Sequence, residues 1–163
     1  MPADDPYRLA TQREIGIMAV PVLWQRVGAL VSTLRSAELK STRTEVIEAL
    51  WHYYTPDDDA TAAELLREYR LAALRQPLSA PPQQVHLRTL DAFWDQLGAL
   101  AEQLQAKHGM RSSRSEITQA LWWRYLPRDH RRAAKLIRAY RSTRLGLDPG
   151  APPAPTTRPT HPR

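Results

Sequence analysis

At 163 residues the chain has room for one medium domain or two small ones. It contains no cysteine, which excludes disulfides and thiolate metal sites and fits a reducing compartment. The net charge of +6 is divided unevenly: residues 1–76 hold 9 Lys/Arg and 11 Asp/Glu, residues 77–163 hold 14 and 6. Surplus positive charge in one half favours nucleic acid or another polyanion without sequence preference, although a plain solubility bias has the same appearance. No apolar run approaches the roughly 18 residues of a membrane span. The opening segment lacks a signal-peptide pattern, so the expectation is a cytoplasmic protein with no membrane partner.

Met1 to Arg13 is polar and carries two prolines, so residues 1–13 are expected to form a flexible arm. A repeat then begins. Trp24-Gln-Arg-Val-Gly-Ala-Leu30 returns as Trp94-Asp-Gln-Leu-Gly-Ala-Leu100, and Thr42-Arg-Thr-Glu-Val-Ile-Glu-Ala-Leu-Trp51 as Ser113-Arg-Ser-Glu-Ile-Thr-Gln-Ala-Leu-Trp122. Pro56, Leu65, Tyr69, Arg70 and Leu74 match Pro127, Leu136, Tyr140, Arg141 and Leu145. A unit of roughly 70 residues is marginal for an independent core. The two copies, residues 14–76 and 84–146, are therefore expected to need each other and to pack about an approximate two-fold axis. A proline-rich linker, 77–83, separates them, and the proline-rich tail, 147–163, is expected to be disordered.

Within each copy the hydrophobic period changes once. Val85-His86-Leu87-Arg88 alternates as a half-buried strand does, and Ile15 to Met18 alternates less cleanly. Leu23, Trp24, Val27, Leu30, Val31 and Leu34 then fall at helical spacing, as do Phe93, Trp94, Leu97, Leu100, Ala101 and Leu104. Pro21 suits the first helical position. These helices are expected to end near Lys40 and near Gly109. Thr42 and Ser113 read as N-caps of a second helix. Glu45 and Glu116, three residues on, are expected to reach back to the cap N–H groups as a capping box. That helix runs to Tyr54 and to Tyr125, where Pro56 and Pro127 stop it. A third spans about 59–75 and 129–145. One unpaired strand per copy is untenable, because it would expose its backbone groups. The two strands are expected to pair with each other as an antiparallel ribbon.

The fold class expected is mainly α, with one short strand and three helices per repeat. A strand with alternating polar residues, Gln84-Val-His-Leu-Arg88, followed by a helix, a turn and the capped Ser112-Ser-Arg-Ser-Glu-Ile117, resembles the ribbon-helix-helix DNA-binding family (Arc, MetJ and CopG-like repressors). The resemblance covers the strand and first two helices of both copies, and a tandem copy in one chain is similar to TraY-like relaxosome accessory proteins. It implies sequence-specific binding of double-stranded DNA in transcriptional repression, plasmid partition or conjugation. It also implies nucleoid association, self-association on DNA, and a partner ATPase, relaxase or toxin. The rival reading is an antitoxin-like interaction module whose C-terminal tail binds a partner protein.

If Val85 and Leu87 face the helices, Gln84, His86 and Arg88 face outward. In a major groove Arg88 suits guanine O6 and N7, Gln84 suits adenine N6 and N7, and His86 offers a single contact. An ordinary solvated strand face would have the same composition. The equivalent positions in the first copy are Glu14, Gly16 and Met18. Glutamate there is unwelcome near phosphates, so this half either reads a different half-site or mainly supplies structure, and the operator should be asymmetric. Thr42, Arg43, Ser113 and Arg114 at the second-helix N-termini, with Arg111 and with Arg13 on the arm, are the expected phosphate contacts. The basic run Arg128, Arg131, Arg132, Lys135 and Arg138 is either further DNA contact or a solvated face. Asp57 to Asp59 either favour a helix N-terminus or meet that run on a neighbouring chain. Trp24, Trp51, Trp94 and Trp122 are expected in the core. The histidines show no ligand spacing, and there is no phosphate loop, nucleophile elbow or paired carboxylate, so neither metal, cofactor nor enzymatic activity is expected.

Overall fold

The computed structural model describes residues 11–76 and 80–147, so the expectations for residues 1–10, 77–79 and the tail from 148 lie outside the described residues. The order strand, helix, helix, helix occurs twice: β1 Gln12–Ala19, α1 Pro21–Ser36, α2 Arg43–Tyr54, α3 Asp59–Arg75, then β2 Gln83–Leu90, α4 Asp91–His108, α5 Arg114–Tyr125, α6 His130–Arg144. The described chain is mainly helical, and its one sheet is β1 paired antiparallel with β2. Both strands are longer than their alternating cores suggest. Gln12 and Arg13 belong to β1 instead of a loose arm, and Gln83 belongs to β2 instead of the linker. Period-2 alternation places Ile15, Ile17 and Ala19, with Leu87 and half-buried Val85, against the helices.

Capping decides where the helices begin. Thr42 accepts from the Glu45 N–H at 3.1 Å and Ser113 from the Glu116 N–H at 3.1 Å. Asp58 and Asp129 cap α3 and α6 in the same way, at 2.7 and 2.9 Å. The return half of the expected capping box does not form. The Glu45 carboxylate accepts from Arg141 at 2.8 and 2.9 Å, and that of Glu116 from Arg70 at 2.7 and 3.0 Å. A forked guanidinium satisfies both carboxylate oxygens at once, which a single backbone N–H cannot. The α1 terminus is also corrected. It stops at Ser36, short of Lys40, because Glu38 turns to φ 64° and the Leu39 N–H closes back on the Leu34 carbonyl at 2.9 Å. In the second copy Gly109 takes that left-handed position at φ 61°.

The halves interlock. The third helix of each copy packs on the other copy: α3 lies on α4 and α5, and α6 on α1 and α2. The matched arginines are the clamps, Arg70 to Glu116 across to α5 and Arg141 to Glu45 across to α2. At the centre Tyr54 stacks on Tyr125, with centroids 4.6 Å apart and planes 4° from parallel. Trp51 and Trp122 are fully buried, Trp51 against Phe93 and Trp94, and Trp122 against Trp24. Trp24 and Trp94 are only half-buried, so two of the four tryptophans expected in the core lie at its edge.

Candidate nucleic-acid interface

The outer face of the ribbon collects all six strand residues expected to point away from the core. The register sets Glu14 opposite Arg88, Gly16 opposite His86 and Met18 opposite Gln84. All six are exposed. Among the described residues, the side chains of Gln84, His86 and Arg88 have no hydrogen bond or ion pair, so their donors and acceptors are free to meet a ligand. Opposed residues of an antiparallel pair share a face, so the approximate two-fold axis passes between Gly16 and His86. Gly16 has no side chain to read a base with. Its missing Cβ leaves room for the Gln84 amide, which lies 2.8 Å from where that Cβ would be.

Side chains of the second copy hold β1 in place. The Met18 N–H donates to Ser115 Oγ at 3.0 Å, the Val20 N–H to Gln119 Oε1 at 3.0 Å, and Gln119 Nε2 to the Met18 carbonyl at 3.1 Å. On β2, Thr89 donates to Glu48 of α2 at 2.6 Å. Each strand is thus fixed to the second helix of the other copy. The ribbon face stands outward on this hydrogen-bonded base. These positioning residues went unrecognised because only the fold brings them to the strands; the paired Thr44/Ser115 and Glu48/Gln119 positions were the available signal.

The expected phosphate contacts divide. The Thr42 and Ser113 hydroxyls are engaged as caps and leave other first-turn N–H groups of α2 and α5 without an intrahelical partner. The Arg43 guanidinium lies over the Trp24 ring at 4.7 Å, and that of Arg114 over Trp94 at 5.1 Å, with Arg114 Nε donating to the Trp94 carbonyl at 2.9 Å. Gly28 and Gly98 permit this, since a Cβ at either would sit 2.2 Å from the guanidinium. The arginines therefore seal the exposed edges of two tryptophans. Beside Arg114, a cleft of about 360 Å³ is lined by Trp94, Gly98, Ser112, Ser113 and Ser115. Arg111 is exposed, and its carbonyl accepts from Arg70 at 2.7 Å. Arg13 departs from its expected role: it lies within β1 and pairs with Asp91 at the start of α4, 3.5 Å away.

Arg131, Arg132, Lys135 and Arg138 are exposed along α6, with exposed Arg128 just before it, and the other face of the helix carries Ala133, Leu136, Ile137 and Tyr140 into the core. Of the three aspartates, Asp58 caps α3, and the Thr61 N–H and hydroxyl hold its carboxyl below the ordinary value. Asp59 meets His108 at 2.6 Å and Lys107 at 3.3 Å, and is held low by His108 first. His52 packs edge-on against Tyr53, and burial lowers its pKa. Among the described residues no three His, Asp or Glu side chains gather as metal ligands, and no helix is long and apolar enough to cross a membrane. No protein-family model, curated protein or solved structure matches the chain.

Proposed function

We propose that this chain is a tandem ribbon-helix-helix protein that binds double-stranded DNA sequence-specifically, with the β1–β2 ribbon in the major groove. One observation carries the reading: Gln84, His86 and Arg88 project from one exposed face, in register with Glu14, Gly16 and Met18. Two strands roughly 5 Å apart are narrower than a major groove about 12 Å wide, which leaves room for side chains to reach base edges. The N-termini of α2 and α5 supply N–H groups for flanking phosphates, with Arg111 beside the second. The role is transcriptional repression, or an accessory part in plasmid partition or conjugation, in association with the nucleoid.

The test is selection of binding sites from random duplexes with the full chain. Enrichment of a short site whose two halves differ is expected, since the register sets Arg88 and Glu14 at one end of the ribbon and Gln84 and Met18 at the other. Failure to enrich any site, or recovery of a perfect palindrome footprinted equally on both halves, would count against the proposal. The carboxylate of Glu14 stands opposite Arg88 and weakens its field. Glu14→Gln should therefore tighten binding to every duplex, by roughly tenfold at low salt. A loss confined to sites bearing cytosine at one position would instead make Glu14 a base reader.

A further inference from the structure

Between α1 and the start of α6 lies a cleft of about 390 Å³ that shares no residue with the ribbon. Leu30 and Leu126 lie among its walls, and Arg26, Thr33, Arg128 and His130 bring its polar groups. Arg26 is half-buried, and burial together with the neighbouring Arg128 charge depresses its pKa. Among the described residues neither guanidinium has a carboxylate or carbonyl partner. The nearby carboxylate of Asp129 is engaged by the N–H and guanidinium of Arg132, at 2.9 and 3.6 Å. Two like charges held together, one partly out of water, are destabilising by themselves.

The duplication supplies an internal reference for this corner. Arg26, Arg128 and His130 correspond to Gln96 of α4 and to Asp57 and Asp59 at the approach to and start of α3, two helices that pack together. There Asp59 is matched by His108 and Lys107. That corner has Asp59 balanced by cations, whereas at the cleft Arg26 and Arg128 have no carboxylate partner among the described residues, and in sequence Glu38 stands at the position of His108.

We infer that the cleft formed by Arg26, Arg128 and His130 binds a phosphate group. Two forked guanidiniums present paired donors to tetrahedral oxygens, the imidazole adds one more, and the anion removes the repulsion between them. The phosphate belongs either to a nucleic-acid backbone or to a free phosphorylated compound.

The experiment titrates pyrophosphate into the full chain at constant ionic strength, by calorimetry and thermal unfolding. It compares wild type with Arg26→Gln/Arg128→Asp, the residues of the balanced corner, and with Arg26→Lys/Arg128→Lys. Wild type should bind and gain Tm. The Gln/Asp variant should bind at least roughly tenfold more weakly, with a ligand-free Tm no lower than wild type, and the Lys/Lys variant, which keeps the charge but loses the paired donors, should bind with an affinity between the two. In a second arm, salt dependence of affinity for a random duplex is measured in an Arg88→Ala background. If the Gln/Asp change lowers the salt slope by about two, the source is the DNA backbone; an unchanged slope with pyrophosphate binding lost identifies a free compound. Equal pyrophosphate affinity in the Gln/Asp variant and wild type, or a lower ligand-free Tm in that variant, would overturn the inference. Neither readout depends on sequence preference, so failure here is distinct from failure of the ribbon reading.

Discussion

Trp122→Ala is expected to cost about 3–5 kcal/mol of stability. The indole is 0% exposed, projects from α5 and meets Trp24 of the other copy with centroids 6.0 Å apart. Its removal leaves a cavity between helices of both copies, which the cross-clamps Arg70–Glu116 and Arg141–Glu45 prevent from collapsing. Against a typical stability of about 5–15 kcal/mol this is a large share, and Tm should fall by roughly 10 °C. Phenylalanine separates packing from hydrogen bonding. Trp122 Nε1 has no acceptor among the described residues, whereas Trp51 Nε1 donates to Thr118 at 3.1 Å. Trp51→Phe should therefore cost about 1 kcal/mol more than Trp122→Phe. Urea unfolding followed by circular dichroism measures both, and equal losses would show that the Thr118 bond contributes nothing.

How far the sequence could be read depended on the range of the interaction. The outward set on β2 and the starts of α2 and α5 were legible because alternation and capping are local: Val85 to Arg88 and Thr42 to Glu45 contain their own signal. The partner of Glu45 was not legible. A glutamate at that position serves either the cap N–H or a guanidinium, and Arg141 arrives from the far end of the chain. The interlocking of third helices was hidden for the same reason, although matched Arg70 and Arg141 marked its residues. The α1 end was misplaced because a glutamate occupies the left-handed position that glycine normally marks. Arg43 and Arg114 stood beside helix N-termini in sequence. The repeated Trp-x-x-x-Gly of Trp24/Gly28 and Trp94/Gly98 was the unread sign that each guanidinium would lie flat on an indole.

Arg88→Ala should erase preference at one base position while retaining binding to unrelated duplexes. Arg88 is exposed on β2, is not ion-paired among the described residues, and stands on a strand fixed to α2 through Thr89 and Glu48. A guanidinium held this way can pair bidentately with guanine, a contact that discriminates by about 1–3 kcal/mol. In parallel selections from random duplexes, the variant should lose one conserved guanine and keep the rest of the site. Arg111→Ala is the informative control, because Arg114→Ala would also strip the cover from Trp94 and so mix stability with affinity. Arg111 is exposed at the approach to α5, and its loss should weaken all sequences alike and lower the salt slope by about one. An Arg88→Ala protein that selects the same site with uniformly reduced affinity would make Arg88 a phosphate contact. Specificity would then have to reside in Gln84 and His86.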